Sequence, residues 1–131
     1  VTHLAHTLGY WMNHLDEWVG INPNAPFPWT TGSVAGYTYM EILETAPGGD
    51  ASIILAQQYI AAKLNYYVYG VPTSIATAIS DAEAFFSGIG SPFSVPYPAG
   101  SDPPDGTAGS PRDYAIDLAK ILEDYNSSGY P

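Results

Sequence analysis

Apolar residues along this chain return every three or four positions rather than every second one. Five segments carry that rhythm, and none alternates as a half-buried strand would. In the first, Leu4, Leu8, Trp11, Leu15 and Trp18 fall on one narrow stripe at 100° per residue. This predicts a helix over Leu4–Trp18, with Gly9 as a weak point that would delay its regular part to about Tyr10. The second segment, Tyr39–Glu44, is short. Thr38 and Glu41 form a capping box ahead of it, and Pro47-Gly48-Gly49 ends it.

The third segment, Ala51–Tyr69, is the longest. Asp50 is a good N-cap whose charge suits the positive end of the helix, and Gly70 and Pro72 supply the stop. Ile53, Ile60, Ala61, Leu64 and Val68 mark its main apolar face, but Ile54, Leu55, Ala62 and Tyr66 spread well beyond it. A helix apolar on most sides is central and covered by several neighbours. The fourth segment runs over about Ser74–Phe86, with Ile75, Ile79, Ala82 and Phe86 in line. The fifth runs over Pro111–Tyr125, opened by Ser110 and Pro111, with Tyr114, Leu118, Ile121, Leu122 and Tyr125 inward. The expectation is a single all-α domain over 1–131, a compact orthogonal bundle of about five helices. Two Pro/Gly-rich stretches, Val19–Gly36 and Ser87–Gly109, interrupt it as long loops. Their aromatics Phe27, Trp29, Phe93 and Tyr97 would pin them, either to the domain's own core or to a neighbouring subunit.

Composition narrows the functional classes. The chain has 131 residues, 46% hydrophobic and 12% charged, a balance that excludes wholesale disorder. Three basic residues face thirteen acidic ones, for a net charge of −10. That argues against binding nucleic acid or anionic membrane by charge. No apolar run approaches the length of a membrane span, so no membrane insertion is expected. Without cysteine there is no disulfide framework and no thiolate metal site.

Several stretches carry a family resemblance. Thr7-Leu8-Gly9-Tyr10-Trp11-Met12-Asn13-His14, followed by Trp18, resembles a TxGYWKNH opening. Gly49-Asp50-Ala51-Ser52, Leu55-Ala56 and Ile60-Ala61-Ala62-Lys63-Leu64-Asn65 resemble a GDAS…LA…LIAAKLN centre. Leu122-Glu123-Asp124-Tyr125-Asn126 resembles a closing LDDYNNG, and Ile79–Ala84 resembles the helix before it. These belong to an uncharacterised extracellular domain of secreted and cell-surface bacterial proteins, often found beside adhesin-like or anchoring modules. Order and spacing agree over nearly the whole chain. The lysine of GYWKNH is Met12 here, and the loops around Trp29 and Pro104 are peculiar to this protein. The resemblance implies an extracellular or cell-surface setting and carries no established activity.

Each constellation that could carry chemistry has a plainer reading beside it. His3 and His6 are three apart, close enough to chelate one ion if the first helix reaches back that far; the plainer reading is a solvated terminus. Tyr10, Trp11, Asn13 and His14 could orient a substrate, but structural use of this motif, with Trp18 and Asp50, is the stronger reading. The pairs Asp16-Glu17, Asp81-Glu83, Asp102-Asp105 and Glu123-Asp124 read as solvated faces rather than as a glycosidase pair. Asn126-Ser127-Ser128 is an N-glycosylation sequon. Eleven tyrosines and three tryptophans leave some aromatics exposed, which suits sugar stacking or protein contacts. No cofactor and no catalysis are expected. The expectation is a structural protein outside the cell that assembles as a homo-oligomer or homopolymer, a filament or surface-layer subunit, with a glycan possible. The alternative is a carbohydrate- or metal-binding module.

Overall fold

The computed structural model describes residues 4–29, 34, 36–46, 48, 50–87 and 111–128. Among them five α-helices account for the architecture: α1 (Leu8–Met12), α2 (Tyr39–Glu44), α3 (Ala51–Tyr69), α4 (Thr73–Ser87) and α5 (Pro111–Ser128), with a 3-10 turn at Leu15–Glu17. No strand appears among the described residues. One isolated antiparallel bridge joins Pro26 to Thr38. This is the all-α bundle the periodicity predicts.

Helix α3 is its axis. Thirteen of its nineteen residues are buried, and it packs most extensively on α5, then on α4, with α1 and α2 against it as well. The Asp50 carboxylate accepts from the Ser52 and Ile53 amides, and Gly70 ends the helix at φ +77°. The capping box of α2 is present in both directions. Its C-terminal carbonyls are taken by Gln57 of α3, whose amide nitrogen donates to Ile42 O at 3.0 Å and Thr45 O at 2.6 Å. A buried side chain therefore closes the end of a short helix that would otherwise fray.

The loop after Trp18 belongs to the fold. Phe27 N donates to Tyr37 O, Tyr39 N to Ala25 O and Met40 N to Pro23 O, clasping the loop onto the start of α2. Phe27 then enters the core, where its ring meets Trp29, Tyr39 and Phe86 at centroid distances of 5.2–5.4 Å. Of the two expected alternatives, Phe27 thus pins its loop to the domain's own core and is not an interface anchor. Trp29 is half-buried against Phe86 and Tyr59. Phe93, Tyr97, the cap Ser110 and the Asp102-Asp105 pair lie outside the described residues.

The first segment also needs correction. The helix starts at Leu8, where Thr7 caps the Tyr10 amide, and it ends after five residues. Leu4 and Leu15, two members of the expected stripe, are exposed at 62% and 44%. The physical reason lies in the side chains that follow. Asn13 Nδ2 donates to Gly9 O at 2.9 Å, His14 Nδ1 donates to Tyr10 O at 2.7 Å, and Trp18 Nε1 donates to Trp11 O at 2.8 Å. A continuing helix would fill those three carbonyls with the next backbone N–H groups. Here each of them takes a side-chain donor, Tyr10 O and Trp11 O accept backbone N–H groups three residues on rather than four, and the chain turns away.

Candidate functional site

Three polar constellations stand out, and the first is the amino-terminal motif. The rings of His6, Tyr10 and His14 form one stack, 3.6 and 3.9 Å between neighbours, each pair tilted by 12°. The Tyr10 hydroxyl donates to Glu17 Oε1 at 2.6 Å, and this bond first, then burial, pushes the phenol up to about 12. His6 Nε2 lies 3.0 Å from the Tyr69 hydroxyl. Trp11 is fully buried beneath the stack. Tyr10, Trp11, Asn13, His14, Trp18 and Asp50 are each engaged in terminating, capping or packing a helix. The helix does not reach back to His6. His6 precedes the helix, its ring is committed to Tyr10 and Tyr69, and no cluster of three metal-ligating side chains occurs among the described residues. His3 lies outside them.

The second constellation is a buried amide ladder. Asn65 Oδ1 accepts from His6 N at 2.9 Å, while Asn65 Nδ2 donates to His6 O at 3.0 Å and to Asn126 Oδ1 at 2.9 Å. Asn126 Nδ2 in turn donates to the backbone oxygen and Oε1 of Gln58, both at 3.1 Å. Both asparagines are essentially inaccessible. One ladder therefore ties the amino-terminal segment, α3 and α5. It corrects the reading of Asn126 as a glycosylation site: a glycan on Nδ2 would replace one of the two hydrogens that hold Gln58 and would have no room in the core. Asn65 and Asn126 are also the final residues of the quoted IAAKLN and LEDYN stretches, so these two stretches meet in space.

The third is a surface groove between α3 and α4. One basin of about 180 Å³ is lined by Lys63, Tyr66, Ala76, Ile79, Ser80 and Glu83. A second, of about 390 Å³, shares Ser80 and Glu83 and is bordered by Trp29, Ala84 and Ser87. Glu83 Oε2 accepts from the Tyr59 hydroxyl at 2.7 Å and from Lys63 Nζ at 3.0 Å. Burial, then the bond to Glu83, raises the Tyr59 phenol far above its ordinary value. Lys63 also sits over the rings of Tyr66 and Tyr67, 5.3 Å from each centroid. Glu83 thus differs from the expected solvated carboxylate. A Tyr and a Lys one turn apart on α3 point at it, a pairing across 24 residues that no local spacing reveals. Glu123 and Asp124 stay on the exposed face, as the spacing predicts.

Beyond the groove, the surface carries large apolar side chains. Val19 is 54% exposed, and Tyr66 and Tyr67 are 44% and 42% exposed. Gly20, next to Val19, lies so close under Tyr67 that a Cβ there would come within 2.8 Å of the ring. Tyr66 and Tyr67 adjoin one another, the Gly20 backbone lies against Tyr67, and Val19 is its neighbour in the chain. No helix of the described residues is long and apolar enough to cross a membrane.

Comparison with protein-family models, with curated proteins and with solved structures finds no match to this chain.

Proposed function

We propose that this protein is a non-enzymatic structural subunit that works outside the cell and assembles with copies of itself into a filament or layer. The observation that carries this reading is the adjoining pair of exposed tyrosines, Tyr66 and Tyr67, with the Gly20 backbone against Tyr67 and the exposed Val19 next to it in the chain. Contiguous exposed apolar surface marks an interaction site, and tyrosines with few lysines are what interface centres favour. Lys63, held over both tyrosines, is one of only three basic residues, so a second copy of this acidic chain brings it a complementary charge. If the patch meets a different surface on the next copy, the contact is heterologous and yields rings or open filaments. The family resemblance of the Thr7–His14, Gly49–Asn65 and Leu122–Asn126 stretches supports the extracellular setting.

The experiment compares the native chain with Val19→Asp and Tyr67→Asp by sedimentation and light scattering. Native protein is expected to form large species whose fraction grows with concentration. Both variants, altered only at exposed positions, are expected to stay small with unchanged helical circular dichroism. Assembly unaffected by either substitution removes this surface from the account.

A further inference from the structure

We propose that the groove between α3 and α4 is a binding site for a neutral oligosaccharide. Its two basins, of about 180 and 390 Å³, adjoin at Ser80 and Glu83 and form an open, shallow groove rather than an enclosed cleft, a shape along which successive sugar rings can lie. The chemistry of the walls selects the ligand. Tyr66 borders one basin and Trp29 the other, and such rings offer faces on which the C–H side of a pyranose can lie. Between them stand a cation and a carboxylate 3.0 Å apart. That spacing suits a vicinal diol: one hydroxyl accepts from Lys63 Nζ, and its neighbour donates to Glu83.

The Glu83 carboxylate is prepared for this use. Its Oε2 takes both protein donors, Tyr59 and Lys63, which leaves Oε1 for a ligand hydroxyl. The buried Tyr59 fixes the group in place, so little ordering is left for binding to offset. Along α4 the floor is formed by Ala76, Ser80 and Ala84, small side chains that let a ring approach the helix. Charge argues for a neutral ligand. Lys63 and Glu83 cancel one another, and the chain around them carries −10, which repels uronic or sulfated sugars.

The site shares Tyr66 and Lys63 with the assembly surface, and Val19→Asp, which alters that surface outside the groove lining, separates the two. The native chain is titrated with tetrasaccharides of β-1,4-linked glucose, mannose and N-acetylglucosamine, and with tetragalacturonate. Amide NMR shifts and calorimetry provide the readouts. At least one neutral sugar is expected to saturate, with shifts centred on Trp29, Lys63, Tyr66, Ser80 and Glu83. Ser80→Tyr, which fills the junction of the basins from an exposed helix position, is expected to weaken binding at least about tenfold at unchanged melting temperature. Glu83→Gln is expected to weaken it while leaving Tyr59 an acceptor. Val19→Asp leaves it intact. Absence of saturation by all three neutral sugars, binding indifferent to Ser80→Tyr, or a preference for tetragalacturonate overturns the proposal.

Discussion

Replacing Asn126 by alanine tests whether the amide ladder holds the bundle together. The native side chain accepts one hydrogen bond from Asn65 and donates to two oxygens of Gln58, all inside the core. In Asn126→Ala one Asn65 N–H and the Gln58 Oε1 lose these partners, while the Gln58 backbone oxygen keeps its place in α3. Each buried polar group left without a partner costs about 1–3 kcal/mol, and the vacated volume adds to that. The expected loss is therefore about 3–5 kcal/mol, a large part of the roughly 5–15 kcal/mol that stabilises a domain. At about 4 °C per kcal/mol for a chain of this size, the melting temperature should fall by about 12–20 °C. Urea unfolding followed by circular dichroism gives the free energy directly. Asn65→Ala should cost as much or more, since it also frees the His6 backbone. Because the two side chains share a bond, the double variant should fall short of the sum by about 1 kcal/mol or more. A loss under about 1 kcal/mol for Asn126→Ala, or strictly additive single losses, would refute the reasoning.

Other outcomes follow from the same geometry. Asp50→Ala removes the acceptor of two α3 amides and should cost about 1 kcal/mol by thermal melting, with Asp50→Ser recovering most of it. Gly20→Ala should destabilise more than an ordinary surface change, since φ is +82° and the new methyl would meet the Tyr67 ring; Tyr67→Ala in the same chain should relieve the steric part. At alkaline pH the neutral phenols of Tyr10 and Tyr59 are favoured by the fold, with Tyr10 raised to about 12. Their contribution is intact below the unfolded tyrosine value near 10. It falls as pH rises past that value, for Tyr10 being lost through about 12. Phenolate absorbance should therefore show late-titrating tyrosines, fewer in Tyr10→Phe and Tyr59→Phe.

Much of the fold can be read from local signals. The Thr38–Glu41 box, the Asp50 cap and the Gly70 stop each act within four residues, and the structure uses all three. The broad apolar surface of Ala51–Tyr69 announces a central helix for the same reason. What escapes is whatever depends on distant partners. The stripe from Leu4 to Trp18 has helical spacing, but Asn13, His14 and Trp18 take the carbonyls that the helix needs. Asn126 matches a sequon three residues long, while its burial depends on partners 61 and 68 positions away. Phe27 sits among prolines, and only the clasp to Tyr37 and Tyr39 turns it inward. The groove is hidden for the same reason: Glu83 looks like one of many acidic residues until Tyr59 and Lys63 close on it. A lone asparagine on an apolar helix face, as at Asn65, is the one signal that could have pointed to the ladder.

The most direct test of the assembly account is electron microscopy of the native protein at neutral pH over a concentration series, with and without added salt. A net charge of −10 opposes self-association, so salt should promote it by screening. The account predicts regular fibres or sheets that become more abundant as salt and protein rise. A monodisperse particle of 14.0 kDa under every condition would contradict it.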